Sequence, residues 1–244
     1  MTTTNALLIN QANAPITKGT IERRAVRAKD VRIAISYSGI CHSDVHQARS
    51  EWGNDIFPMV PGHEIIGEVI VVGAEVTKFK IGQTVGVGVF VDSCRECDAC
   101  KSNLESYCEK GPVGSYNGYA YNGDVEYGGY SKEIVTDEHF VLHIADGVNL
   151  AECAPLLCAG ITVYSPLKHW KAGPGKKVAI LGMGGLGHRR EIADPAQNVG
   201  ILHHHAGGVL VDAGDQPVEI GLGRDRGLGV GDLVTGEVRH GLDH

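Results

Sequence analysis

The fold class this sequence predicts is mostly β with an α/β end: a small barrel or sandwich that passes into the opening of an α/β unit. Three observations point there. Short Val-, Ile- and Gly-rich runs recur through the first 150 or so residues, with turn residues between them. A helical stretch begins near Asn149. A continuous apolar run, Lys177–Leu181, then leads straight into Gly182-Met183-Gly184-Gly185-Leu186-Gly187.

The elements come in order along the chain. Val31–Ser36 (VRIAIS) alternates like a strand, and Gly67–Val72, Thr84–Val91 and Lys132–Val135 are strand-like as well. Asn149 with Glu152 three residues later fits a capping box opening a helix over Leu150 to about Cys158. Ala159–Trp170 continues in helical style, and Gly173–Lys176 is a turn. The pattern divides the chain into residues 1–150, 151–188 and 189–244, with a cysteine-rich lobe at about 92–110. From Arg189 on there is no Lys, Ser, Cys, Met or aromatic residue, and no run makes a convincing amphipathic helix.

Composition narrows the function. Hydrophobic residues make up 43%, enough for a packed core, and a net charge of -7 gives no electrostatic case for nucleic acid. No apolar run is long enough to span a bilayer, and the first residues lack a basic segment leading into an apolar one. A cytoplasmic location, without membrane contact, is the expectation.

The seven cysteines are more informative. Cys94, Cys97, Cys100 and Cys108 form C-x2-C-x2-C-x7-C on a loop flanked by Asp92, Ser93, Asp98 and Asn103. Four thiolates on a tight loop suit structural zinc, which takes soft ligands in a tetrahedron. Disulfides and an iron–sulfur cluster are the competing readings. The ferredoxin pattern, however, brings its fourth Cys three residues later and before Pro, whereas here Glu109 comes after a more distant Cys108. A second set is Cys41, His63 and Cys158; two thiolates and an imidazole would leave zinc an open fourth position. Taken singly these residues carry little weight, and Cys153 reads as a small hydrophobe. Gly182, Gly184 and Gly187 form G-x-G-x-x-G after a strand, which allows a tight turn and close approach of a pyrophosphate to a helix N-terminus. His203-His204-His205 reads as a solvated surface run.

Several long segments together resemble one family. They are Gly39–His46 (GICHSDVH), Pro61–Gly67 (PGHEIIG), Asp92–Cys108, Tyr127–Ser131 (YGGYS), Cys158–Leu167 (CAGITVYSPL) and Val178–His188 (VAILGMGGLGH). The chain resembles the zinc-containing medium-chain alcohol dehydrogenases, most of all their cinnamyl alcohol dehydrogenase and broad aldehyde reductase branch. The resemblance implies a GroES-like barrel joined to a Rossmann domain, incomplete here. It implies two zinc ions per chain. Cys41, His63 and Cys158 would hold the catalytic one, and Glu64 could exchange onto it. Asp44 would orient the ligating imidazole. Ser43 would take the alcohol proton and His46 pass it to solvent; His42 would approach the pyrophosphate of NADP or NAD, and Thr162 the nicotinamide. The partners implied are a small alcohol or aldehyde and a second subunit in a homodimer.

The resemblance stops at His188. Arg189 onward departs from the family pattern, Asp212 being the nearest candidate for a ribose-binding acid, and the tail reads as a shifted frame or a fused end. Lys177–Leu181 would then stand as a lone strand with an unpaired edge. The competing expectations are an active zinc alcohol dehydrogenase and a non-catalytic zinc-binding fragment of one.

Overall fold

The computed structural model describes residues 1–173, 176, 178–181, 185–186, 199–202, 208–212 and 217–221. Gly182, Gly184, Gly187 and His203–His205 lie outside them. The chain divides into two compact units, Met1–Cys158 and Ala159–His244.

The first unit is built on strands. β1 (Thr2–Leu8) and β2 (Thr17–Arg23) form an antiparallel hairpin. β3 (Asp30–Ser38) and β4 (Ile65–Val72) are the middle of a five-stranded sheet. β5 (Thr84–Val87) extends it on one side, and β10 (Glu133–Asp137) and β11 (Val141–His143) close its two edges, in the order β10-β3-β4-β5-β11. Every pairing in it is antiparallel. Val31, Ile33, Ile65, Val69, Val85, Val87 and Ile134 are fully buried and form the core with Phe79, Val91, Val113 and Val141. The β-branched residues suit a pleated surface packed on one face. The β3–β4 register slips at Arg32/Ile33 and again at Ile35/Tyr37. Such bulges bend a strand and redirect the chain beyond them; the second comes just before the chain leaves β3 toward Cys41.

Two expectations change here. Thr84–Val91 is not one strand: β5 ends at Val87, and β6 (Phe90–Asp92) pairs instead with β7 (Val113–Gly114). A side chain at Gly88 would meet the Leu157 carbonyl at 3.1 Å, so the chain turns out of the sheet there without one. The helix expected over Leu150 to Cys158 is also divided. An α-helical turn, Leu150–Cys153, gives way to a 3-10 turn, Ala154–Leu157. Pro155 is the reason, since it has no N–H to donate and its ring obstructs the preceding turn. Asn149 caps the first turn, its Oδ1 accepting from Ala151 N at 3.1 Å. Its amide donates to the Glu152 side chain at 2.9 Å, so the box closes between side chains and not through the Asn149 backbone.

Four short elements complete the first unit: α1 (His42–Ala48), α2 (Asp98–Lys101), and the β8–β9 hairpin (Gly118–Tyr119 with Val125–Glu126). With the Leu150–Cys153 turn as α3, the second unit opens on α4 (Ala159–His169). It also holds β12 (Val178–Leu181), β13 (Val199–Leu202), β14 (Gly208–Asp212) and β15 (Pro217–Gly221), in the order β13-β12-β14-β15. β12 runs parallel to β13 and antiparallel to β14. The expected lone strand is therefore overturned: its backbone groups are paired along both edges, which removes the cost of leaving them unsatisfied. Among the described residues no single helix is long and apolar enough to cross a membrane.

Replacing a core residue separates these contributions. Ile33 is fully buried and Ile81 is 63% exposed. Ile33→Ala should lower unfolding free energy by about 2–5 kcal/mol, cavity included, and Ile81→Ala by no more than about 0.5 kcal/mol. Urea unfolding of both variants, with equal effects as the contrary result, checks this.

Candidate metal centre

Two groups of metal-ligating side chains come together, in each of which the ligand atoms lie within 4.8 Å of one another: Cys94, Cys97, Cys100 and Cys108, and Cys41, His63, Glu64 and Cys158.

The first group sits on the lobe between β6 and β7. The lobe turns sharply at Arg95 and Asn103, both with positive φ, and Cys97 precedes the short helix α2. These turns aim backbone amides at sulfur: Cys97 N lies 3.4 Å from Cys94 Sγ, and Cys94 N lies 3.4 Å from Cys108 Sγ. Such amides favour thiolates over thiols. Burial works against ionisation at Cys108, but the Tyr121 hydroxyl, 3.5 Å away, and the Cys94 amide outweigh it and bring its pKa down to about 6. Cys100 goes the other way, up to about 11; the Ser93 hydroxyl pulls it down, and burial together with the Cys97 and Cys108 thiols prevails. Four clustered thiols of this kind fit zinc, a soft tetrahedral centre. Arg95 fastens the lobe to the barrel, reaching Asp92 at 3.0 Å and Asp137 at 2.8 Å.

The second group is assembled from three separate parts of the barrel unit. Cys41 stands at the start of α1, His63 and Glu64 enter β4, and Cys158 comes directly after the 3-10 turn. That turn is seated on the sheet: Ala154 is buried, and Leu157 packs where a side chain at Gly86 would otherwise be. Cys41 and Cys158 bring their sulfurs to 3.9 Å. This hydrogen bond, with help from His63 and Ser43, overcomes burial and lowers the Cys41 pKa to about 3. Glu64 is almost fully buried, and its carboxylate fills the space that a side chain at Gly39 would need.

Asp44 ties these parts together. Its Oδ1 accepts from Gly62 N at 3.0 Å and faces His63 Nδ1 at 3.1 Å. Its Oδ2 accepts from Cys41 N at 2.9 Å and from the Tyr130 hydroxyl at 3.2 Å. Burial alone would raise its pKa, but the His63 contact, the Cys41 amide and the Tyr116 hydroxyl hold it below the usual carboxylate range. Burial would likewise lower the His63 pKa; Asp44 and Cys41 reverse this and raise it to about 10. With Nδ1 turned to Asp44, Nε2 is the nitrogen left to bind a metal, and a metal there would displace its proton. A donor set of two thiols, an imidazole and a carboxylate fits zinc.

Of the other expected residues, Ser43, His42 and His46 lie on α1 beside Cys41. Ser43 Oγ lies 3.6 Å from Cys41 Sγ. The His46 ring stacks on Trp52 at 5.1 Å, lies 4.6 Å from the exposed His42 ring, and its Nδ1 contacts Glu51. No hydrogen bond joins Ser43 to His46 directly among the described residues. Thr162 lies on α4, in the second unit. Gly182, Gly184 and Gly187 fall outside the described residues. Sequence reasoning missed three participants: Tyr116, whose ring stacks on His63 at 5.9 Å, Tyr130 on Asp44, and Glu51 on His46. Of these, Glu51 alone had a local signal, five positions after His46.

The two thiol pKa values give a test on metal-stripped protein. Cys41, at about 3, is already thiolate at pH 5, so its alkylation rate should stay flat to pH 8; Cys100, at about 11, should react about tenfold faster per pH unit over that range. Peptide mass spectrometry after iodoacetamide labelling reads both, and parallel profiles would contradict the geometry.

Comparison with known proteins agrees with this architecture. Residues 27–146 match the alcohol dehydrogenase GroES-like domain. The NADP-dependent alcohol dehydrogenase C 1 of Mycolicibacterium smegmatis is 58% identical over 189 residues, covering 77% of this chain and 54% of the relative. The aldehyde reductase YahK of Escherichia coli is 51% identical over 179 residues, 72% of this chain and 51% of the relative. Among solved structures, a cinnamyl alcohol dehydrogenase from Sorghum bicolor superposes with a TM-score of 0.79 at 40% identity, covering 83% of this chain and 58% of that one. A cinnamyl alcohol dehydrogenase from Helicobacter pylori, complexed with NADP(H), gives 0.77 at 42% identity, covering 82% and 58%. The chain spans about half the length of the relatives it matches. Over the region these matches share, the chain carries the alcohol dehydrogenase GroES-like domain and is similar to NADP-dependent alcohol dehydrogenases, cinnamyl alcohol dehydrogenases and aldehyde reductases.

Proposed function

We propose that this protein interconverts a primary alcohol and its aldehyde, using NADP(H) and two zinc ions per chain. One observation carries the reading: Cys41, His63, Glu64 and Cys158 converge, with a buried carboxylate on the far nitrogen of the imidazole. The second, four-thiol group supports a structural zinc. NADP(H) is the dinucleotide named for the relatives in Mycolicibacterium smegmatis and Helicobacter pylori. Gly182, Gly184 and Gly187 would hold its pyrophosphate.

Zinc on the Cys41/His63/Cys158 set would act as a Lewis acid, lowering the pKa of an alcohol or polarising an aldehyde, and the dinucleotide would supply or accept the hydride. The protein's own groups do the rest. Asp44 keeps His63 Nδ1 occupied and so fixes the ring with Nε2 toward the thiols. Ser43, at the edge of the cluster, takes the alcohol proton on Oγ. His46 carries it onward, its imidazole oriented by Glu51 on Nδ1 and by the Trp52 ring. No hydrogen bond joins Ser43 to His46 among the described residues, so the relay calls for a hydroxyl of the bound dinucleotide or a water between them.

Metal analysis of the purified chain should give a zinc ratio near two, one for each group. Cys100→Ser should lower thermal stability, since a structural zinc contributes folding free energy; Cys158→Ser should abolish aldehyde reduction and lower the unfolding midpoint less than Cys100→Ser does. Zinc near zero with all thiols reactive would reject both assignments.

The relay is tested by NADPH-dependent reduction of an aromatic aldehyde. Ser43→Ala should reduce turnover about a hundredfold or more, and His46→Gln by less, with an altered pH profile. Unchanged rates in both variants would remove these residues from the proton path.

A further inference from the structure

We infer that Tyr130 is a positioning residue of the Cys41/His63/Cys158 centre, acting through Asp44; the inference rests on the metal reading above. Tyr130 touches every segment that feeds this centre except the 3-10 turn. Its backbone N–H donates to Pro61 O at 2.9 Å, in the segment that ends at His63. Its ring lies against Gly62, where a side chain would meet Tyr130 Cδ1 at 2.8 Å; Gly62 also has φ +103, so both space and conformation demand glycine. Its hydroxyl lies 3.4 Å from Gly39 O, in the approach to Cys41, and donates to Asp44 Oδ2 at 3.2 Å.

The Tyr130 ring is itself held. It packs against the small apolar cluster of Ala6, Ile21 and Val60. The segment leading to it is clasped by Arg23, which is 4% exposed and donates to Tyr127 O at 2.6 Å and Gly128 O at 3.0 Å. A side chain at Gly128 would meet the Gly62 and Pro61 carbonyls at 2.4 Å, so the two segments lie backbone to backbone. The hydroxyl is thus delivered to Asp44 from a rigid support.

The consequence is chemical. Asp44 needs each oxygen aimed: Oδ1 at His63 and Gly62 N, Oδ2 at Cys41 N. The Tyr130 phenol is the second donor to Oδ2 beside the Cys41 amide, and it acts with the Tyr116 hydroxyl to restrain the carboxylate's rotation about its Cβ–Cγ bond. Without it Oδ2 loses one of its donors, and the carboxylate's hold on His63 and the start of α1 is loosened. Loss of an outer hydrogen-bonding partner typically weakens metal binding about 10- to 100-fold.

The test uses the full, zinc-loaded chain, a zinc chelator and an alkylating reagent, with each cysteine tracked by peptide mass spectrometry. Tyr130→Phe keeps the ring on Gly62 and removes the hydroxyl. It should speed alkylation of Cys41 and Cys158 about tenfold or more, while Cys94, Cys97, Cys100 and Cys108 react at the wild-type rate. In an Asp44→Asn background the same change should add little, because its effect runs through that carboxylate. Unchanged rates at Cys41 and Cys158 would overturn the inference. So would acceleration of all six thiols together, which is how general loosening or misfolding would register. If Cys41 and Cys158 are unprotected in the wild-type chain with zinc added, the metal reading itself fails, and the inference with it.

Discussion

The arrangement of this site depends on one buried carboxylate. Asp44 is 4% exposed, and a carboxylate so placed is unstable unless its lone pairs are filled. Two backbone amides, an imidazole and the phenols of Tyr116 and Tyr130 fill them. These donors come from four separate stretches of chain, so satisfying the charge and bringing the stretches together are the same event. The local sequence supplies only a part of this. Asp44 lies in the first turn of α1, where its side chain reaches back to the Cys41 amide. This is also where an anion is favoured by the helix's free N–H groups. The other donors arrive through the barrel.

The two thiol groups differ in how their assembly is driven. The four-thiol lobe is local: its ligands fall within a single loop, fixed by the left-handed turns at Arg95 and Asn103 and by amides aimed at sulfur. Cys41 and Cys158, by contrast, are 117 positions apart. Their approach requires the sheet, because Cys158 comes after a turn whose Leu157 is lodged over Gly86 of β5 and whose Ala154 is buried. The loop-closure entropy is therefore offset by core burial, and the thiols find each other as a by-product.

That difference explains how much of the site is legible in the sequence. The lobe can be read from spacing alone, as C-x2-C-x2-C-x7-C in a turn-rich loop. The middle strands can be read too, since Val31–Ser36 alternates as a half-buried strand does and Gly67–Val72 is a short β-branched run. Grouping Cys41, His63 and Cys158 needs the family resemblance, because no periodicity links them. β1 and β2 are not legible: Thr2–Leu8 and Thr17–Arg23 carry few apolar residues, and their pairing is an antiparallel register that only the folded chain reveals. Tyr130 lies inside a recognised segment yet has no role there, because its partner Asp44 is 86 positions away. The split at Pro155 is different, since the proline stands in plain view and outweighs the helical style around it.

The supports of the second group are uneven. The Asp44 network fixes His63 and Cys41 through β4, α1 and the 128–130 segment, of which β4 is rooted in the main core and Tyr130 in the hairpin cluster. Cys158 meets that network at the Cys41 sulfur, 3.9 Å away; it is the last residue of the barrel unit and follows a 3-10 turn packed on β5. A metal bound by all three would therefore tie the Asp44 network and the 3-10 turn to one shared centre. Binding free energy that goes into ordering a ligand is folding free energy for that segment. The two halves of the donor set are thus unequal: Cys41 and His63 define the geometry, and Cys158 closes it.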